Sequence, residues 1–151
     1  MHTLSSGAHG QRGIATVEFA ICAPILFLLM FATAEIGRVL FQYNTLVKAV
    51  RDGARYAAAA ATNSTRVVNI TNEMRTATVN LVMTGNTAGT GGPLLEGMDP
   101  GAVIVSNNGN GFISVAATYV YEPMLGATLP TFGLGDGIDL SMTLSAAVIM
   151  R

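Results

Sequence analysis

The chain has 151 residues, half of them hydrophobic and only 11% charged, with a formal net charge of −1. Soluble domains carry roughly a quarter charged residues, so this composition points away from a freely soluble globule. The near-neutral balance excludes the basic surface of a nucleic-acid binder, and the length allows one modest domain plus a separate element.

Residues Met1 to Gly13 are a short polar stretch holding His2, His9 and Arg12, with nothing that could pack a core. Phe19 to Ala34 is uncharged and bounded by Glu18 and Glu35. With Ile14 to Val17 added, the run reaches the ~20 residues needed to cross ~30 Å of hydrocarbon. A transmembrane helix is therefore expected over 14–34, with one carboxyl, Glu18, inside its front end. Cys22 is the lone cysteine and cannot close a bridge within the chain. Glu18, Phe19, Ala20 and Ile21 before it form no small-residue lipidation site, so it reads as a small hydrophobe. Pro24 removes a hydrogen bond to the Ala20 carbonyl, either as a kink or as a tolerated membrane-helix proline.

The helical pattern continues past the span. Ile36, Val39, Leu40, Tyr43, Val47, Val50 and Ala54 recur at three- and four-residue steps, with Arg38, Lys48, Arg51 and Asp52 off that stripe. Ala57 to Ala61 extends the propensity. One helix is expected from about Ile14 to Ala61, on the order of 70 Å at 1.5 Å per residue. Gly37 and Gly53 are places where another helix could approach closely. Arg38, Arg51 and Arg55 read as solvated helix charges.

Asn63-Ser64-Thr65 breaks the pattern, and Arg66 to Met83 reads as a second amphipathic helix with Val67, Ile70, Met74, Ala77 and Leu81 on one side. Thr84 to Gly101 is glycine-rich and ends in the turn signal Asp99-Pro100-Gly101. Three β-prone stretches follow: Ala102 to Val105, Phe112 to Tyr121, and Asp139 to Met150. Asn107 to Gly111 is a hairpin cue between the first two. Ile113, Val115, Ala117, Tyr119 and Tyr121 share one face of the second strand. Leu140, Met142, Leu144, Ala146, Val148 and Met150 share one face of the third. Pro123 to Gly137 reads as a loop. The expected class is α+β: a long N-terminal membrane-spanning helix that continues as an amphipathic helix, a second helix, then a small antiparallel sheet of about three strands packed on the helix. The expected divisions are a leader 1–13, a span 14–34, its extramembrane continuation 35–61, and an α+β domain 62–151.

Two processing readings compete at the N-terminus. A signal peptidase could use Arg12, the Phe19 to Met30 core and the small-residue site Ala32-Thr33-Ala34, releasing a soluble protein from Glu35. Alternatively, the cut falls after Gly13 and the apolar run stays as an anchor. Glu18 favours the anchor, because a plain signal has no use for an acid there. A carboxyl in a bilayer is costly, roughly 2.5–3.5 kcal/mol for a central acid, and needs a partner. Cleavage after Gly13 would create a charged amine on Ile14, four residues from Glu18 and on the same helix face. The amine could belong to the same chain or to a neighbouring subunit. Against this, Arg38, Lys48, Arg51 and Arg55 outnumber Arg12 and the free N-terminus, and that count alone would keep the C-terminal side in the cytoplasm.

The stretch Arg12-Gly13, Ala15-Thr16-Val17-Glu18-Phe19-Ala20, Pro24-Ile25-Leu26, Glu35-Ile36-Gly37-Arg38 and Val50 through Ala57 resembles the TadE-like pseudopilins of the tight adherence (Flp-type) pilus system. The resemblance is specific from Arg12 to Ala57 and weak over the strands. It implies cleavage after Gly13 by a prepilin peptidase at the cytoplasmic face of a bacterial inner membrane, with Ile14 as the new N-terminus. It further implies a retained single-pass helix in contact with membrane lipid, a periplasmic C-terminal domain, and a minor role in pilus assembly. Implied partners are other pilins and pseudopilins, the peptidase and the inner-membrane assembly platform; no nucleic acid is implied. Phe19 stands where the family often has tyrosine.

Catalysis finds little footing. Both histidines lie in the leader, and there is no cysteine pair, metal-ligand spacing or phosphate loop. No enzyme activity, cofactor or metal is expected. The alternative to pilus assembly is a secreted or surface-tethered β domain that binds a ligand through the Pro123 to Gly137 loop.

Overall fold

The computed structural model describes residues 9–61, 68–124, 126–129, 131 and 135–151, with the side chains of 9–12 and 129 excepted. The architecture is α+β, as expected. α1 (His9–Ala61) is followed by α2 (Asn72–Thr84), a 3-10 turn (Pro100–Ala102), and strands β1 (Val103–Gly109), β2 (Phe112–Tyr121), β3 (Thr128–Leu129), β4 (Ile138–Asp139) and β5 (Met142–Met150). The chain divides into two compact units. One takes the chain up to Ile36 together with Pro123–Leu140; the other takes Gly37–Glu122 and Ser141–Arg151.

α1 begins at His9, not at Ile14, so the Gly13–Ile14 bond lies inside the helix. No proline, serine, threonine, aspartate or asparagine stands between Gly10 and Ile14, and the helix runs through Gly13. The helix is continuous through Pro24.

α2 starts later than the apolar pattern suggested. Residues 68–71 are not helical, and 66–67 lie outside the described residues. Thr71 is the N-cap, its side chain accepting from the Met74 amide at 3.2 Å, with Glu73 in the first turn. Before it, β-branched Val68 and Ile70 pack against the core without helical geometry. The buried face of α2 is Met74, Thr78 and Val82. Thr78 escaped the hydropathy pattern because it is polar, yet its hydroxyl is satisfied within the helix, donating to the Met74 carbonyl at 2.7 Å. Gly85 closes the helix in a left-handed conformation (φ 79°) and donates to the Leu81 carbonyl at 2.9 Å.

The glycine-rich connection does more than link elements. It contributes buried Leu95 and Met98, and Leu94 donates its amide to the Met83 carbonyl at 2.7 Å. The Asp99-Pro100-Gly101 signal becomes the 3-10 turn, with the Asp99 carboxyl accepting from the Gly101 amide.

The main sheet is antiparallel in the order β1-β2-β5. Val105 faces Val115, and Val115 faces Val148. Asn110 and Gly111 both have positive φ (52° and 82°), which is the twist a tight hairpin needs, and β1 bulges between Asn107 and Gly109. The expected inward face of β2 is fully buried: Ile113, Val115, Ala117, Tyr119 and Tyr121. β5 starts at Met142 instead of Asp139, and only Leu144 of its inward face is fully buried. The stretch read as a loop from Pro123 to Gly137 carries β3, which pairs with β4 as a separate two-stranded ribbon.

The core of this second unit is completed by α1, but the helix buries a stripe other than the expected one. Leu46, Ala49, Val50, Ala54, Ala57 and Ala61 are buried, together with Gly53. Of the expected stripe, Val50 and Ala54 are buried, Val39 is partly so, and Ile36, Leu40 and Tyr43 are exposed. Small side chains dominate the buried stripe because neighbours come close. A Cβ on Gly53 would stand 2.5 Å from Val82 Cγ2 of α2. At Gly37 nothing lies within 4 Å, so that glycine serves no such approach.

Tyr119 combines burial with a polar tip. Its hydroxyl donates to the Glu96 carbonyl at 3.1 Å. Burial pushes the phenol above its ordinary value, the nearby charges of Glu122 and Glu96 push the same way, and Arg38 opposes them. The folded state therefore favours the neutral phenol. Its contribution is complete below the unfolded value near ~10 and is lost as pH rises through the higher folded value. Tyr119→Phe is expected to cost about 1 kcal/mol at neutral pH and to flatten the alkaline loss of stability. Urea midpoints of the full-length protein in detergent, at neutral and alkaline pH, measure both.

Candidate functional site

Among the described residues, most of the apolar first half of α1 is left exposed. Ile14 is 71% exposed and Phe19 66%; Ile21, Ile25, Leu26, Leu29 and Met30 are exposed as well. This is a helix long and apolar enough to cross a membrane, and its most apolar window has none of its residues buried. Leaving so much apolar surface in water is unfavourable by about 25 cal/mol per Å². Lipid or other apolar helices relieve that cost.

Within this helix, Gly13, Ile14, Val17, Glu18 and Ile21 line one open face. Glu18 is exposed there, one turn from Ile14. A Cβ on Gly13 would meet nothing within 4 Å, so this chain's own packing does not require glycine. Glycine nevertheless costs about 1 kcal/mol against alanine in a helix interior. Pro24 is half-buried and sits inside the unbroken helix.

At the far end of the uncharged run the structure shows a contact that spacing does not reveal. Glu35 is only 5% exposed, and its Oε1 accepts the amide of Met124 at 3.1 Å. In the sequence Glu35 merely ends the apolar run, and its partner lies 89 residues away. Just before it, Thr33 Oγ1 donates back to the Leu29 and Met30 carbonyls at 3.0 and 2.8 Å. The small-residue site Ala32-Thr33-Ala34 is therefore closed into helix. Arg38, read as a solvated charge, is half-buried with its guanidinium 6.0 Å from the Tyr121 ring centroid. Arg51 and Arg55 are exposed, as expected.

A family model described as TadE-like protein matches residues 13–55. This segment resembles TadE-like proteins. The TadE-like segment starts at Gly13 and contains Glu18, Pro24, Glu35, Arg38 and Gly53. No curated protein and no solved structure matches the chain. The TadE-like segment covers the apolar half of α1 and the small-residue half that packs against α2.

Proposed function

We propose that the chain is a membrane-anchored minor pseudopilin that acts in assembly of a tight adherence pilus. Its apolar helix stays in the bacterial inner membrane, its C-terminal part faces the periplasm, and a prepilin peptidase cuts after Gly13. The role is structural, not catalytic. Partners are other pilins and pseudopilins, which meet its N-terminal helix, and the inner-membrane assembly platform.

The observation that carries this reading is the TadE-like helix whose apolar surface its own chain leaves uncovered. A released soluble protein would have to hide that surface. Two further features support retention. Among the described residues nothing packs where a Gly13 side chain would stand, as befits a residue read by a peptidase. The Ala34–Glu35 bond is helical and the residue after it, Glu35, is buried, so a peptidase could reach it only by unwinding α1 there.

N-terminal sequencing of the protein purified from membranes tests the processing step. The expected first residue is Ile14. A first residue of Glu35, on soluble material, would overturn the reading in favour of a secreted binding domain.

A further inference from the structure

The Glu35 contact has a geometric consequence. Glu35 is the first charged residue after the uncharged run that begins at Phe19, so it stands where α1 leaves the bilayer if α1 spans one. A carboxyl at that level would ordinarily face water. Here it is buried and holds the Met124 amide, which fixes the start of the Pro123–Leu140 segment at the same level.

The segment has the chemistry of that place. It contains no Lys or Arg, and its only acids are Asp136 and Asp139. Met124 is 72% exposed and Ile138 52%. Among its described residues is a ribbon of two two-residue strands, closed by the Leu140 amide on the Ala127 carbonyl at 2.9 Å. So small a ribbon is marginal in water and needs a surface to lie on. It cannot enter hydrocarbon, where unpaired backbone groups are costly. The headgroup layer meets both conditions, taking apolar side chains inward and leaving backbone and acids hydrated.

We propose that the Pro123–Leu140 segment lies in the headgroup layer at the exit of the α1 span, tethered there by Glu35. The interaction rests on apolar side chains, so it needs no anionic lipid. This inference depends on the reading of α1 as a membrane span, and the test separates the two.

The full-length chain carrying Cys22→Ala is given single cysteines by Met124→Cys, Ile138→Cys, Phe27→Cys or Asn108→Cys. Each is labelled with an environment-sensitive fluorophore. The chains are reconstituted sparsely in phosphatidylcholine vesicles containing lipid spin-labelled at the headgroup or high on the acyl chain. The labels at 124 and 138 are expected to lose about half their emission, as burial within ~5–10 Å of the headgroup boundary implies. The Asn108 label, on the exposed end of β1, is expected to keep its emission. Emission at 124 and 138 as full as at 108, with 27 quenched, overturns the inference and leaves the span standing. Full emission at 27 overturns both. Adding Glu35→Ala is expected to reduce quenching at 124 while sparing 27; unchanged quenching at 124 would overturn the tether.

Discussion

Glu18→Ala is expected to abolish pilus assembly while leaving the protein in the membrane. Removing a carboxyl from an apolar helix lowers the cost of insertion, by up to about 2.5–3.5 kcal/mol at the bilayer centre and by less near the front of the span, so membrane content should hold or rise. On the proposed reading, what is lost is the partner for the amine that cleavage after Gly13 would create on Ile14. The two residues line one open face of α1, and in the uncut chain the Gly13–Ile14 bond is held within the helix. Only cleavage turns that amide nitrogen into a cation. A pair of unit charges ~4 Å apart at an effective dielectric of ~20 attracts by about 4 kcal/mol. That corresponds to roughly a thousandfold in association. If the amine belongs to a neighbouring subunit, this attraction drives assembly and makes it depend on prior cleavage. Glu18→Gln discriminates further, because it keeps the hydrogen-bonding shape and loses the charge; it is expected to fail like alanine. Electron microscopy of piliated cells, alongside membrane fractionation, reads both effects. Wild-type piliation in Glu18→Ala would sink the charge argument.

The features that could be read from the sequence share one property: their physics is local. The alternation Ile113, Val115, Ala117, Tyr119, Tyr121 needs only the two-residue period of a strand, and all five are buried. The Asn110-Gly111 turn needs only residues that tolerate positive φ. Ile14 and Glu18 are four residues apart in one helix, so their shared face follows from 3.6 residues per turn. The failures are equally physical. The buried stripe of α1 was misplaced because bulk was taken as the signal, whereas close packing selected Ala49, Gly53, Ala57 and Ala61. Ile36 and Leu40 remain exposed instead. The start of α2 lies later than the apolar period predicts because Ile70 fits that period while Thr71 sets the cap. Strands β3 and β4 are two residues each, too short for a periodicity to show, and the pairing of Glu35 with Met124 depends on the chain's return over 89 residues, which no local pattern encodes.

The close packing of α1 on α2 yields the second large effect. Gly53→Leu is expected to destabilise the unit that holds the sheet by about 3 kcal/mol or more, at the upper end of overpacking costs. Even a Cβ at this position would stand 2.5 Å from Val82 Cγ2, and Val82 is only 1% exposed. Valine has a single strongly preferred rotamer in a helix, so it cannot turn aside cheaply. The helices must separate, and Thr78, also fully buried, would lose its packing with them. Gly53→Ala is a finer probe, since two effects oppose. Alanine gains up to about 1 kcal/mol of helix propensity, while the clash costs about 1–3 kcal/mol. Val82→Ala alone removes the clashing methyl and leaves a cavity. Combined with Gly53→Ala, that cavity receives the new methyl. The pair should be less damaging than the sum of its parts, with a coupling of about 0.5–3 kcal/mol. Urea unfolding of the four full-length proteins in detergent measures the cycle. Strict additivity would show that the helices already have room to part, and that glycine stands at 53 for a reason other than their contact.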